Sequence, residues 1–175
     1  RTAWTGADVP AEHAIRGIHS GSLLVRDPAA TIALVSAILD GAVIGESDRI
    51  TRMGINGSAP GQLLEIIRAA DEPGAVNGVG TVHHIASAAA DDAQQLAVQA
   101  EIRRRGMHVT DVLDRQYFHS IYFREPNGVL FEVATNPPGF AVDEDMAQLG
   151  RALKLPPWEE PRRAAIEATL PRVTY

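Results

Sequence analysis

Residues 60–67, PGQLLEII, and residues 127–134, NGVLFEVA, are two versions of one pattern. Each sets a glycine-led turn ahead of an apolar run and interrupts that run at the same place with a glutamate. The two glutamates, Glu65 and Glu132, lie 67 residues apart. Apolar, β-branched-rich runs bounded by Pro, Gly and Asn read as strands. Self-similarity at a fixed interval means a repeated supersecondary unit, and it outranks any single element in deciding the fold.

Working outward from each glutamate gives the same order of elements. In the first copy, IRGIHSGSLLV (15–25) reads as a strand, and Asp27-Pro28 supplies an N-cap and first helical residue for a helix over 28–40, with Gly41 as its C′ residue. AVIGE (42–46), RITRMGI (49–55) and QLLEIIR (62–68) follow as strands. In the second copy, GTVHHIAS (80–87) is a strand, Asp91 or Asp92 caps a helix to about Arg105 with Gly106 beyond it, and MHVTDV (107–112), FHSIYFR (118–124) and VLFEVAT (129–135) are strands. The expected class is α+β: two βαβββ modules at 15–72 and 78–136, a linker-like segment at 1–14, and a C-terminal helical extension at 137–175. In the extension we expect a short helix around 144–153 and a capped helix from about Glu160. Its composition does not disclose a role.

Composition narrows the function classes. A chain of 175 residues, 45% of them hydrophobic, can bury roughly 70% of its unfolded surface. The net charge of −6 and the lack of a basic tract argue against nucleic-acid binding, which needs clustered cations to neutralise phosphates. Arg103, Arg104 and Arg105 sit where cations complement a helix C-terminus. There is no cysteine, so disulfides, thiolate nucleophiles and Cys-ligated zinc are all excluded. No apolar run approaches the roughly 20 residues that span a bilayer, and no signal pattern opens the chain. These features predict a soluble, cytoplasmic protein without membrane or nucleic-acid partners.

Each repeat also carries a histidine near its first strand: His19 lies 46 residues before Glu65, and His84 lies 48 before Glu132. Strand side chains alternate faces, so the neighbours His83 and His84 should point opposite ways unless the strand bulges. In the turn EPNG (125–128), Pro126 and Asn127 as central residues with left-handed Gly128 would pair Glu125 with Val129, Phe123 with Phe131 and Tyr122 with Glu132. Tyr122 and Glu132 then share a face, with Cβ atoms about 5–7 Å apart. A histidine and a glutamate on one small sheet are two-thirds of a 2-His-1-carboxylate metal site. Taken singly, each residue reads more simply as an edge or core side chain, and Arg115 as a solvated loop cation. Their recurrence at matched positions, with Tyr122 opposite Glu132, favours a site. His119 has the opposite parity to Tyr122.

The βαβββ repeat, with HHIA opening one copy and FEVA closing it, resembles the vicinal oxygen chelate superfamily, whose members include glyoxalase I, extradiol dioxygenases and metal-free bleomycin-binding proteins. More specifically, GTVHHIA, VLDRQYFHSIYFREPNGVLFEVATNPPGFAVDE and LKLPPWEEPRR resemble the Fe(II) hydroquinone-type ring-cleaving dioxygenases. The first 80 residues resemble the third module of that family more loosely. The resemblance implies His84 and Glu132 as metal ligands, His83 as an acid/base behind them, Tyr122 as the partner of a phenolic substrate, and Arg115 as the cation that orients an anionic oxygen. It implies Fe(II), ahead of Mn, Ni or Zn, with a small aromatic substrate and dioxygen, in aromatic compound degradation.

The family has four modules in one longer chain, and its remaining histidine ligand comes from the first. Here Ser20 stands at the matching position and His19 one place early. With the linker-like opening at Arg1, this reads as the C-terminal half of a longer enzyme, the third ligand coming from an N-terminal half or from His19 by a rearranged pairing. Either a homodimer or association with that half would cover exposed apolar sheet. Two rivals stand beside this reading. One is a glyoxalase-I-like lyase or isomerase holding Ni²⁺ or Zn²⁺ with His19, Glu65, His84 and Glu132; the other is a metal-free small-molecule-binding module.

Overall fold

Asp27 begins the first helix as the sequence requires: its carboxylate accepts the backbone N–H groups of Ala29 (3.1 Å) and Ala30 (3.4 Å), ahead of Pro28. The computed structural model describes residues 2–3, 8–73 and 76–171. Its first module comprises β1 (Ser20–Val25), α1 (Pro28–Ile38), β2 (Gly41–Glu46), β3 (Ile50–Ile55) and β4 (Leu63–Arg68), in a sheet ordered β1-β4-β3-β2. The second comprises β5 (Ile85–Ala89), α2 (Asp92–Arg104), β6 (Leu113–Asp114), β7 (His119–Arg124) and β8 (Leu130–Thr135), ordered β5-β8-β7-β6. In each sheet the first strand runs parallel to the last, the pairing a helical crossover permits, and is left as an edge.

The helices pack on one face of each sheet. Thr31, Leu34, Val35 and Ile38 form the buried stripe of α1, at helical spacing. In α2 the stripe is Gln95, Gln99 and Ile102. The glutamines serve carbonyls of the module: Gln95 Nε2 donates to the oxygens of His119 and Val133, both at 2.8 Å, and Gln99 Nε2 to that of Thr110 at 2.7 Å. One cluster of buried residues runs through both modules, from Leu23, Met53 and Ile66 to Ile121, Phe123 and Phe131. Among the described residues, no helix is long and apolar enough to cross a membrane.

Several expected boundaries are corrected. Helix α1 stops at Ile38, and the left-handed residue after it is Asp40 (φ 51°), not Gly41. Gly41 is instead demanded by space, since a Cβ there would lie 2.7 Å from Val35 Cγ1. The strand expected over 15–25 begins only at Ser20, after Gly17 at φ 121°. The strand expected over 80–87 occupies Ile85–Ala89, so His83 and His84 precede it. The strand expected over 107–112 is reduced to a bridge between Val109 and Phe123, followed by the two-residue β6. The Thr110 hydroxyl there replaces a ladder carbonyl and accepts Tyr122 N–H at 3.0 Å.

In the extension, residues 144–153 form turns rather than a helix, with Gly150 at φ 80° and its N–H held by Glu144 Oε2. The final helix starts as a 3-10 turn (Glu160–Arg162) and continues as α3 (Arg163–Thr169), without a side-chain cap.

The modules are joined by a polar contact that is buried at Thr31 and Glu125. Asn127 Oδ1 accepts the N–H groups of Arg26 (3.1 Å) and Asp27 (2.9 Å), and its Nδ2 donates to Asp27 O (3.0 Å) and Thr31 Oγ1 (2.9 Å). The Thr31 hydroxyl donates in turn to Glu125 Oε2 at 2.6 Å. Thr31 is 0% exposed and Glu125 2%. Replacing Thr31 by isosteric Val removes the donor from a buried carboxylate, so Thr31→Val should destabilise the chain by about 1–3 kcal/mol. Urea unfolding checks this: the midpoint should fall with an unchanged denaturant slope.

Candidate functional site

The turn between β7 and β8 determines which residues meet. Gly128 takes φ 90°, its N–H donates to Glu125 O at 2.8 Å, and Glu125 N–H donates to Val129 O at 3.0 Å. The resulting register pairs Phe123 with Phe131 and Tyr122 with Glu132, as the turn chemistry predicts. Phe131 and Val133 face the core, so Glu132 lies on the opposite face with Tyr122 and Ser120.

Glu132 is 4% exposed, and a carboxylate so buried needs donors. Its Oε1 accepts the hydroxyls of Ser120 and Tyr122, the latter at 2.8 Å, and its Oε2 lies 2.6 Å from His84 Nε2. Ser120 went unnoticed in the sequence, although its parity with Tyr122 two residues on was signal enough.

His83 and His84 escape strand alternation because they precede β5. Both therefore join one cluster: His83 Nδ1 lies 2.8 Å from His84 Nδ1, with the rings edge-on at 5.1 Å. The His83 carbonyl is held by Asn77 Nδ2 at 2.8 Å, and Asn77 Oδ1 by Arg124 at 3.1 Å. The His84 and Tyr122 rings also meet edge-on, at 5.8 Å, and the Arg115 guanidinium carbon sits 5.5 Å from the centre of the Tyr122 ring. All five candidate residues thus form one chain of contacts. His119 does not join it; its Nδ1 is 2.7 Å from Asp92 Oδ1 at the start of α2.

The first module shows the same register with different chemistry. Ser22 pairs with Glu65 as Ala86 pairs with Glu132, which puts Ser20 in the place of His84. Arg52 stands opposite Glu65 where Tyr122 stands opposite Glu132. The Arg52 guanidinium donates to Glu65 Oε1 at 2.6 and 3.2 Å, and Ser22 Oγ donates to Oε2 at 3.0 Å. His19 turns its Nδ1 to Ser20 Oγ at 3.3 Å. Glu65 is therefore already matched to a cation, whereas His84 and Glu132 offer a nitrogen and an oxygen to a shared point. An imidazole and a carboxylate suit first-row transition metals, but they are two donors of a three-donor site. Among the described residues, no group of three His, Cys, Asp or Glu side chains is placed to hold an ion.

His83 and His84 also line a groove of about 1310 Å³ between the edge strands β1 and β5. Its walls are largely aliphatic, with Leu24, Ile85, Val98 and Val129 among them. Ile18 and Val82, 77% and 84% exposed, stand on its rim.

The Arg52 guanidinium, and after it the Ser22 hydroxyl, holds the Glu65 carboxyl below its ordinary 4.5. A carboxylate whose pKa is depressed on folding adds stability above its unfolded pKa, and that contribution is lost as pH falls through the folded value. Carbon-detected NMR titration should place the Glu65 midpoint below 4.5, and Arg52→Ala should return it towards that value.

A family profile described as Glyoxalase/Bleomycin resistance protein/Dioxygenase superfamily matches residues 17–133. A Bacillus subtilis protein, MhqE, provisionally named a ring-cleaving dioxygenase, is 37% identical over 175 residues, covering 99% of this chain and 56% of its own length. Chlorohydroquinone/hydroquinone 1,2-dioxygenase of Sphingobium indicum is 32% identical over 159 residues, covering 88% of this chain and 49% of its own. The crystal structure of a provisionally named dioxygenase from Bacillus subtilis superposes with a TM-score of 0.90 at 39% identity, over 98% of this chain and 55% of that one. The chain spans about half the length of these relatives.

Proposed function

The chain belongs to the glyoxalase/bleomycin resistance protein/dioxygenase superfamily, and from that premise we propose that it forms the metal-holding half of an Fe(II)-dependent ring-cleaving dioxygenase for hydroquinones or catechols. The observation that carries this reading is the meeting of His84 Nε2 and Glu132 Oε2 at 2.6 Å, with Tyr122 on the same carboxylate and His83 behind the same imidazole. The names of the relatives agree with it in reaction class.

His84 Nε2 and Glu132 Oε2 would hold the iron, or Mn, Ni or Zn in its place, and the bound metal would supply Lewis acidity and the activation of dioxygen. With Nε2 committed to a metal, His84 carries its proton on Nδ1 and donates it to His83 Nδ1, the hydrogen bond that sets tautomer and ring orientation in metal-bound histidines. His83 then holds its own proton on Nε2, an exchange site at the exposed side of the cluster. The Tyr122 hydroxyl would hydrogen-bond the oxygen of the phenolic substrate, accepting its proton only as it passes its own to Glu132 Oε1, and Arg115 would orient the anionic oxygen that results. The third metal donor comes from a further module seated on the groove between β1 and β5, in an N-terminal half or a second copy of this chain. A lack of cysteine suits action in the reducing cytoplasm.

The 2-His-2-Glu alternative is disfavoured by Arg52, which already occupies Glu65. Anaerobic Fe(II) titration tests the proposal, followed by oxygen uptake on hydroquinone and catechol. Glu132→Ala should weaken iron binding by at least about 100-fold, the upper end of what losing merely a contact behind a ligand costs, and should abolish uptake. Iron affinity unchanged by Glu132→Ala would sink the reading.

A further inference from the structure

Arg115 is exposed, makes no ion pair among the described residues, and yet sits over the Tyr122 ring. A long, flexible cation without a carboxylate partner reaches a ring only if its backbone starts it from the right place. That backbone is a tight turn: Arg115 N–H donates to Phe118 O at 2.9 Å, Tyr117 N–H donates to Arg115 O at 2.8 Å, and Gln116 is forced to φ 66°. Positive φ is unfavourable for glutamine and persists only where surroundings impose it.

Asp114 Oδ1 accepts Gln116 N–H at 2.7 Å, which holds the turn from within. From outside, the C-terminal extension braces it, with one oxygen making both side-chain hydrogen bonds. Asp143 Oδ2 accepts both Gln116 Nε2 (3.0 Å) and the Tyr117 hydroxyl (3.1 Å). Asp143 is itself tied down, its carbonyl accepting Lys154 Nζ at 3.1 Å. Beside it Phe140 stacks on Tyr117 at 5.1 Å and meets Phe118 edge-on at 6.2 Å, while Gly139 N–H donates to Tyr117 O at 2.9 Å. Burial and the Asp143 carboxylate both push the Tyr117 hydroxyl above its usual 10.0, which keeps it a donor.

We propose that Asp143 is a positioning residue for Arg115: it clamps the 114–118 turn through Gln116 and Tyr117 and so sets the guanidinium over Tyr122. The extension thereby acquires a role, as the outer brace of the candidate site. The geometric part stands alone; only the consequence for substrate rests on the dioxygenase reading.

The test is NMR on the isotopically labelled chain. The δ-methylene and Nε–H resonances of Arg115 should be displaced by the ring current of Tyr122. Asp143→Ala should remove at least half of that displacement, and Asp143→Asn, which keeps an acceptor oxygen, should preserve it. Arg115 resonances unmoved in folded Asp143→Ala overturn the proposal. Should that variant fail to fold, Tyr117→Phe, which loses one bond and keeps the stacked ring, should remove part of that displacement, and Arg115 resonances left at their wild-type positions again overturn the proposal. In the metal-loaded enzyme complete with its further module, Asp143→Ala should raise KM for hydroquinone about tenfold with kcat little changed, the size of one loosened hydrogen bond to a charged oxygen. Wild-type enzyme that does not turn over counts against the dioxygenase reading, and the Arg115 resonances still decide the clamp.

Discussion

The four-residue turn Glu125–Gly128 constrains two things at once. Its length sets the register of β7 against β8, and a slip of β8 by one residue would turn Glu132 into the core and Phe131 and Val133 out of it, leaving Tyr122 without its partner. Its side chains do the second job, with Glu125 and Asn127 binding Thr31, Arg26 and Asp27 at the start of α1. The site in the second module and the joint to the first therefore share one structural origin. A change in the turn that disturbed the joint would also disturb the placement of the carboxylate.

Repetition makes the electrostatics easy to compare. Glu65 and Glu132 occupy equivalent places at the centres of equivalent sheets, yet one faces a guanidinium and the other faces two hydroxyls and an imidazole. A carboxylate paired with Arg52 has its charge neutralised by a permanent cation and little left to offer a metal. Glu132 meets two hydroxyls and an imidazole rather than a permanent cation, as the proposal that it holds a metal requires. An arginine in place of a tyrosine, together with a serine in place of a histidine, thus separates a structural carboxylate from a candidate ligand.

Much of this was legible in the chain. The repeat, the α+β class, the cap at Asp27, a second cap at Asp91 or Asp92, which the structure places at Asp91, and the pairing of Tyr122 with Glu132 follow from periodicity and turn chemistry acting over a few residues. Misreadings arose where a distant group supplied what the local pattern expected from the backbone. Thr110 lent its hydroxyl to Tyr122 N–H in place of a carbonyl, so a regular strand over 107–112 was unnecessary. Val35, packed against Gly41, made a glycine necessary for space rather than for a left-handed cap. In residues 144–153 the polar pattern suited a helix, but Gly150 and its bond to Glu144 produced turns.

The chain by itself determined which residues could be neighbours along the backbone: alternation, turn type and helix spacing are rules of short range, and they placed Glu132 beside Tyr122. Tertiary structure decided what those rules cannot reach. It ended the parallel pairing of β5 with β8 at Ile85, freeing both histidines from alternation so that they meet edge-on in one cluster. It brought Arg52 to Glu65, and Asp143 across 27 residues to Gln116. The physical reason is that such contacts depend on how separate elements pack, and a side chain's partners across a packed interface are not written in its neighbours.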